Sequence, residues 1–398
     1  MANKLSMLSI RLKTLTIFRG LLKDPVIDKL QELLWLADEG EDIRHTVSSY
    51  SAFVARLYLN TPDLSRYIAQ LVLNDENFYV KEKACGNEIS ASVENCLNEE
   101  LELLQEICQL RSETVRKAMQ YHQFLPEWDN SEIDLKGEYM RHLEELPHTG
   151  YGIFNKYHTF VIRGDKITPV KYPDSQRLDQ LFGYERERSM IIRNTEALMN
   201  GRGANNMLLY GDAGTGKSST IKAVANHFAE DGLRLIEVKK NQLFQIPDIV
   251  DEISGTPLKF ILFIDDLSFS SNDDNFSALK ALLEGSVSTH GDNIAIYATS
   301  NRRHLVKETM ADRTGDELHV NDTLQETMSL ASRFGLTITF GKPDKDEYLY
   351  IVKALAKEYD LDMPEDELFM RAEAHALRNN GRSPRVAKQF VELQKAGL

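Results

Sequence analysis

The chain has 398 residues, enough for two or three domains, and its hydrophobic content of 42% is ordinary for a globular protein. Its net charge of −14 disfavours a general nucleic-acid or anionic-membrane binder, although a local basic patch would still fit. Three cysteines without a C-x-x-C pair disfavour a disulfide scaffold or a zinc site and suit a reducing cytosol. No apolar run approaches the roughly 18 residues of a membrane span. We therefore expect a cytoplasmic protein without a transmembrane segment.

The first 23 residues carry basic side chains but no acidic one, and leucines recur there at helical spacing. The stripe consists of Leu5, Leu8, Leu12, Leu15 and Leu22. It resembles an amphipathic transit or membrane-surface helix. A helix that docks its leucines on the rest of the domain explains the same stripe, and we favour that interpretation.

Residues 1–150 have apolar positions three and four apart, which predicts an all-α N-terminal domain. No catalytic constellation stands out in this half, so we expect the domain to bind an unknown protein partner. Residues 151–175 follow with two short β-like runs around Arg163-Gly164-Asp165, which predicts a hairpin-like linker.

Residues 176–342 alternate between predicted strands and helices, which indicates an α/β domain with a parallel sheet covered by helices on both faces. The predicted strands are Asn206–Tyr210, Leu233–Val238, Lys259–Ile264, Asn293–Ala298 and Leu336–Phe340. The predicted helices are Glu185–Met199, Lys217–Ala229, Ile246–Ile253 and Phe276–Glu284. Residues 343–398 turn helical again and form a small third domain.

The most informative segment reads LLYGDAGTGKSST, an apolar strand followed by G-x-x-x-x-G-K-S and a helix. In this motif the glycines bring backbone N–H groups against phosphates, Lys217 reaches the β and γ phosphates, and the Ser218 hydroxyl ligates Mg²⁺. A plain glycine-rich turn would not explain Lys217 followed by Ser218. We assign to nucleotide binding the residues Gly211, Asp212, Ala213, Gly214, Thr215, Gly216, Lys217, Ser218 and Ser219.

Polar side chains follow two further strands of the predicted sheet. The run KFILFI ends in Asp265-Asp266, where Asp265 would hold Mg²⁺ and Asp266 would polarise the attacking water. The next strand ends near Ser300 and Asn301, either of which could orient that water or contact the γ-phosphate. The alternative interpretation of Asp265-Asp266 is two acidic residues in an ordinary turn. The alternative for Ser300 and Asn301 is that polar residues commonly end strands.

Together these segments resemble an AAA+ ATPase, a P-loop NTPase with a C-terminal helical lid, over residues 176–398. The matching segments, in the family's order, are QRLDQLFGYE, GDAGTGKSS (Walker A), FILFIDD (Walker B), YATSN (sensor 1), SLASRFG (arginine finger) and GRSPRVAKQF (sensor 2). The amino-acid sequence of these segments most resembles that of an uncharacterised family of predicted bacterial AAA+ ATP-binding proteins.

The resemblance implies ATP and Mg²⁺ as ligands, with Phe182 and Gly183 in the segment that touches adenine. It implies a homo-oligomer, commonly a ring of about six, in which Arg333 reaches the site of a neighbouring subunit. For sensor 2 it favours Arg385 over Arg382. A salt bridge near the sheet edge is the alternative for Arg333, and an ordinary surface arginine is the alternative for Arg385.

The chain departs from the family pattern at two positions. Asp266 stands where most AAA+ hydrolases have Glu, and because Asp is one methylene shorter we expect slow turnover. Phe244 after the second strand lacks a glycine partner, which disfavours a protein-threading machine. The pairs Lys239-Lys240 and Arg302-Arg303 could touch a nucleic-acid backbone, but on an acidic chain we favour solvated loops.

The sequence therefore favours a slow, oligomeric ATPase that couples nucleotide state to movement of its helical domains. The alternatives are a nucleotide-gated interaction switch with little turnover, and a DNA-associated protein of the initiator or loader kind.

Overall fold

The computed structural model describes residues 4–39, 42–268, 274–283, 293–301, 333–379 and 381–398. The chain divides into two compact units, residues 1–156 with 255–257, and residues 157–254 with 258–398. Among the described residues, no helix is long and apolar enough to cross a bilayer. The three cysteines are free.

The first unit contains helices and no named strand in its described part. Its helices are α1 Lys4–Leu12, α2 Pro25–Glu39, α3 Ile43–Tyr58, α4 Leu64–Leu73, α5 Phe78–Ala84, α6 Ala91–Cys108, α7 Ser112–Met119, α8 Leu135–Thr149 and α9 Ile153–Lys156, with a 3-10 helix at Arg19–Lys23. Leu5, Leu8, Leu12 and Leu15 are buried in its core, so the leucine stripe packs inward as expected.

The second unit contains a seven-stranded sheet. Its strands are β1 Thr159–Arg163, β2 Lys166–Pro169, β3 Met207–Gly211, β4 Leu233–Glu237, β5 Lys259–Ile264, β6 Ile294–Ser300 and β7 Leu336–Phe340. They lie in the order β2-β1-β4-β5-β6-β3-β7. Only the β1–β2 pair is antiparallel among these neighbours.

The predicted hairpin exists, but its description as a linker is wrong. Phe160 of β1 pairs in parallel with Ile236 of β4, so the hairpin extends the sheet beyond the predicted strands. Phe160 is fully buried, and the apolar face of β1 therefore belongs to the core of the second unit.

Helices cover the sheet and continue into a small helical lid. Those of the sheet region are α10 Glu185–Met199, α11 Lys217–His227, α12 Ile246–Ser254 and α13 Asp274–Leu283, with 3-10 helices at Leu178–Gln180 and Lys240–Gln245. The lid helices are α14 Lys345–Glu358, α15 Glu365–Arg378 and α16 Pro384–Lys395. Phe244 lies in the second of the 3-10 helices and is 65% exposed.

Because β3 to β7 are parallel, their carboxyl ends meet at one edge of the sheet. Gly211 ends β3 there with φ at +145°. A Cβ at this position would lie 1.9 Å from the carbonyl oxygen of Phe340 on the neighbouring β7. Only glycine fits such an approach, which brings the phosphate loop close to the point where the chain leaves β7 for the lid.

Candidate functional site

A cavity of about 650 Å³ opens at the carboxyl edge of the sheet. Its lining includes the loop residues 213–219, Asp265 and Asp266 after β5, Asn301 after β6, and Arg385 from the lid. This volume is within the usual range for small-molecule sites. The structure therefore brings together, in one cavity, residues from the predicted Walker A, Walker B, sensor 1 and sensor 2 segments.

Lys217 begins α11 and is 5% exposed. Its ammonium donates hydrogen bonds to the carbonyl oxygens of Gly211 (2.9 Å) and Asp212 (2.8 Å) and to Oδ1 of Asn301 (3.0 Å). Burial lowers the pKa of Lys217, and nearby aspartates act in the opposite direction. The side chain is thus held as a directed cation at the start of a helix, where the backbone N–H groups also favour an anion.

Asp265 forms the second part of the site. Its Oδ1 accepts hydrogen bonds from the hydroxyls of Ser218 (2.7 Å) and Thr299 (2.5 Å) and from the backbone N–H of Asp266 (3.1 Å). Its Oδ2 accepts none from the described residues. The hydroxyl of Ser218 and the carboxylate of Asp265 therefore lie side by side across the phosphate loop and the end of β5.

Asp266 is the third part, and its backbone is in the left-handed region with φ at +50°. Its Oδ1 accepts a hydrogen bond from Nδ2 of Asn301 at 2.7 Å. Since Oδ1 of the same amide accepts from Lys217, Asn301 joins the cation of the phosphate loop to the second acid. Ser300, the other candidate after β6, is 1% exposed and does not line the cavity.

The lid touches the phosphate loop at Gly214. The backbone N–H of Arg385 donates to the Gly214 carbonyl at 3.1 Å. A Cβ on Gly214 would lie 3.1 Å from Cβ of Arg385, and φ of Gly214 is +82°. A residue larger than glycine would press against the start of α16, so this glycine permits the close approach of the lid.

The two candidate sensor arginines have different surroundings. Arg385 lines the cavity. Arg382 instead donates two hydrogen bonds to the carboxylate of Glu373, at 2.8 and 2.7 Å, and does not line the cavity. The hydrogen bonds from Arg382 lower the pKa of Glu373. Arg382 is thus engaged in a bidentate pair within the lid, whereas Arg385 faces the same space as the phosphate loop.

The segment before α10 supplies another part of the wall, and Phe182 lines it. Gly183 packs so closely on lid helix α14 that a Cβ would lie 2.9 Å from Cδ1 of Ile351. Tyr184, with φ at +58°, donates its hydroxyl hydrogen bond to the Gly341 carbonyl at 2.7 Å and stacks on Phe340. These contacts tie the segment expected to touch adenine to the junction between sheet and lid.

Sequence reasoning missed two residues that the structure brings to the cavity. Thr299 directly precedes Ser300 and Asn301, the two candidates at the end of β6. Its hydroxyl contacts both Asp265 and Asp266. Arg188 on α10 lines the cavity with a side chain only 12% exposed, and burial lowers its pKa. The sequence does hold one signal for Arg188. This residue lies one turn into α10, directly after the segment that resembles the adenine contact.

Arg333 does not line this cavity. It precedes β7, whose Leu336 pairs with Met207 at the start of β3, whereas the phosphate loop follows Gly211 at the other end of β3. Arg333 therefore lies toward the amino end of the sheet. The Arg302-Arg303 pair lies outside the described residues.

The donor set fits a magnesium ion. Mg²⁺ in nucleotide sites is bound by one or two protein oxygens, with substrate phosphates and waters completing the sphere. Ser218 and Asp265 offer one hydroxyl and one carboxylate oxygen in adjacent positions. Among the described residues, no group of three or more His, Cys, Asp or Glu side chains could hold a metal by itself.

A mostly parallel sheet with a G-x-x-x-x-G-K-S loop at its carboxyl edge, an acidic pair on a neighbouring strand and a helical lid is the fold of an AAA+ P-loop protein, and the predicted fold class is confirmed. The chain belongs to the family described as Protein of unknown function (DUF815), whose profile matches residues 155–397. No curated protein matches the sequence.

Several solved structures are similar to this chain over somewhat more than half of its length. The RuvB Holliday junction branch migration motor of Thermotoga maritima is 18% identical with a TM-score of 0.37, over 56% of this chain and 64% of that chain. AMPPCP-bound DnaA from Aquifex aeolicus is 18% identical with a TM-score of 0.41, over 57% and 67%. PCH-2 of C. elegans is 18% identical with a TM-score of 0.37, over 56% and 65%. This chain thus matches less than two thirds of the RuvB chain.

Proposed function

We propose that this protein binds ATP with Mg²⁺ between the phosphate loop and the lid, and hydrolyses it slowly as a homo-oligomer. The observation that carries the proposal is the bridge from Lys217 through Asn301 to Asp266. It joins the cation expected at the phosphates to the acid expected at the attacking water. Adenine is favoured over guanine by the family resemblance, together with the lack of an N/T-K-x-D guanine signature in the sequence.

The phosphates would lie against the N–H groups of the loop and the ammonium of Lys217, which compensate their charge. Ser218 and Asp265 would hold Mg²⁺, which when bound neutralises charge on the phosphate oxygens. Charge–charge hydrogen bonds of this kind contribute about 1.5–3 kcal/mol each. Lys217→Ala should therefore weaken ATP binding by roughly 10–100-fold.

In hydrolysis the water oxygen forms a bond to the γ-phosphorus, the bond from that phosphorus to ADP breaks, and the water gives up a proton. We assign to Asp266 the role of orienting the water and accepting this proton. Asn301 fixes the Asp266 carboxylate through the amide hydrogen bond. The left-handed backbone and this bond both limit how far Asp266 can move, which supports slow turnover.

The charge that develops on the γ-phosphoryl group would be stabilised by Arg333 of a neighbouring copy and by Arg385 of the lid. Through Arg385 the lid would respond to the nucleotide, because α16 begins against the phosphate loop at Gly214. The N-terminal unit would then transmit the change to a protein partner.

Steady-state ATP hydrolysis, measured over a wide range of protein concentrations, tests this proposal. Specific activity should rise with concentration, since each site needs a neighbour, and Lys217→Ala should abolish it. Hydrolysis independent of concentration down to the monomer would contradict the shared site. Failure of the wild-type protein to bind ATP would contradict the proposal as a whole.

A nucleotide-gated switch with little turnover is the second candidate function. The observation that favours it is Asp266 itself, a short carboxylate already bonded to Asn301. Tight Mg²⁺-dependent ATP binding without hydrolysis at any protein concentration would select this alternative.

The two lid arginines give a matched pair of variants. Arg385→Ala should lower the turnover rate roughly tenfold or more without loss of stability, because it removes a charge-assisted contact to the nucleotide. Arg382→Ala should instead lower the stability of the second unit only slightly, since it breaks a solvent-screened ion pair with Glu373, and leave turnover nearly unchanged. Chemical denaturation and ATPase assays on both variants measure the two effects.

The pH dependence provides a further check on the Arg382 pair. The pKa of Glu373 lies below its ordinary value of 4.5, so the pair's contribution to stability is full above that value. It is lost as the pH falls through the lowered pKa, and Arg382→Ala should lack this loss.

Equal effects of the two arginine variants on turnover would contradict the division of roles.

A further inference from the structure

Thr299 contacts three consecutive residues at the end of β5. Its hydroxyl donates to Oδ1 of Asp265 at 2.5 Å and accepts the backbone N–H of Asp266 at 2.9 Å. Its carbonyl oxygen accepts the N–H of Leu267 at 2.7 Å. Since a hydroxyl has one hydrogen to donate, the donation to Asp265 and the acceptance from Asp266 fix its direction completely.

The turn that these contacts hold is an unusual one. Asp266 has φ at +50°, a left-handed conformation that is uncommon for residues other than glycine and that Asp and Asn adopt more readily than most. Thr299 is 2% exposed and sits on β6, a strand that is buried along its whole length. A rigid, buried strand therefore imposes the geometry of the turn that carries both acids.

The hydrogen bonds that Asp265 accepts from the described residues all fall on one of its two carboxylate oxygens. Oδ1 is occupied by Thr299, Ser218 and the N–H of Asp266, which fixes the plane of the carboxylate. Oδ2 accepts no hydrogen bond from the described residues, and is the oxygen open to a cation. Partners that orient a metal-binding carboxylate in this way typically change metal affinity or activity by about 10–100-fold when removed.

We propose that Thr299 is a positioning residue that orients Asp265 toward the magnesium ion and holds Asp266 at the attacking water. The proposal rests on the ATP-binding function proposed above. It adds to the predicted site a residue that contacts neither phosphate nor water and acts through the two acids.

Thr299→Val tests it, because this change removes the hydroxyl and keeps the branched shape, while Thr299→Ser keeps the hydroxyl. The measurements are binding of a fluorescent ATP analogue with and without Mg²⁺, and binding of Mn²⁺ with nucleotide followed by electron paramagnetic resonance. Thr299→Val should lose most of the Mg²⁺-dependent gain in affinity, by about 10-fold or more, with Mg²⁺-free affinity unchanged. Thr299→Ser should retain the gain.

Thr195→Val is the matched control. Thr195 is a fully buried threonine on α10 whose hydroxyl bonds to the Ile191 carbonyl and the Tyr297 hydroxyl, away from the cavity. It should lose stability as Thr299→Val does, yet keep the wild-type response to Mg²⁺. That contrast separates positioning of the acids from general loss of a buried hydrogen bond.

A wild-type Mg²⁺ response in Thr299→Val would overturn the role of Thr299 while leaving the proposed function intact. An equal loss in Thr195→Val would overturn it as well, by showing a general effect of destabilisation. Absence of ATP binding by the wild-type protein would instead overturn the proposed function, and this inference with it.

Discussion

Asp266→Asn is expected to lower the rate of ATP hydrolysis by on the order of 10²–10⁴, the usual contribution of a general base. Asparagine has nearly the same size, and its Oδ1 can still accept the hydrogen bond that Asn301 donates to Asp266. The variant should therefore keep its structure and its affinity for ATP, and lose only the group that accepts the proton. Single-turnover hydrolysis with saturating enzyme measures the chemical step directly.

Asp248→Asn makes the same change of charge at an exposed position on α12, outside the cavity, and should hydrolyse ATP at the wild-type rate. If Asp266→Asn also hydrolysed at that rate, Asp266 could not be the base. If Asp266→Asn failed to bind ATP, the acid would be needed for binding rather than for the chemical step.

Arg333→Ala is expected to reduce turnover by on the order of 10³ or more, the range known for arginine fingers in GTPases. The register of the sheet supports a role for this residue at a neighbouring subunit rather than at the site of its own chain. From Leu336 to Phe340 the strand β7 runs about 13 Å, beside β3 and toward the phosphate loop. Arg333 lies before that strand begins, at the far end from its own phosphate loop, and would have to act on another copy.

Binding should respond differently from turnover in this variant. Because the finger contacts charge that develops in the transition state, ATP affinity should change little while the catalytic rate falls. Arg202→Ala, which removes an exposed arginine shortly before β3 and thus toward the same end of the sheet, is the control and should keep most of the activity. Loss of ATP binding in Arg333→Ala would point to a structural salt bridge instead.

Much of the second unit could be predicted from the sequence because its local patterns are strong. The run KFILFI predicts strand Lys259–Ile264 to the residue, since a short apolar run bounded by polar residues fits a strand buried on both faces. Helix Glu185–Met199 also has its predicted bounds. The phosphate loop lies between a strand and a helix, the context that its motif requires.

What could not be predicted depends on contacts between distant parts of the chain. The pairing of Phe160 with Ile236 is a long-range contact that the local pattern of the hairpin does not reveal, and that pattern alone therefore predicts a linker. Thr299 was overlooked for a similar reason, since hydroxyl residues commonly end strands and only the packing of β6 beside β5 brings this one to the two acids.

The choice between Arg382 and Arg385 shows the same limit. The two arginines lie three residues apart, and both match the sensor 2 segment. Their difference arises from Glu373 on the preceding helix, which pairs with Arg382 and leaves Arg385 at the cavity. The sequence pattern cannot reveal a partner that is selected by packing within the lid.

We propose that two copies of the chain build each ATPase site, and mixing two inactive variants tests this shared site most directly. Asp266→Asn lacks the base but carries Arg333, while Arg333→Ala lacks the finger but carries Asp266. When the two are mixed and allowed to exchange subunits, sites with both groups should form, and ATP hydrolysis should return to a substantial fraction of the wild-type rate. A mixture that stays as inactive as its components, although the subunits demonstrably exchange, would contradict the shared site.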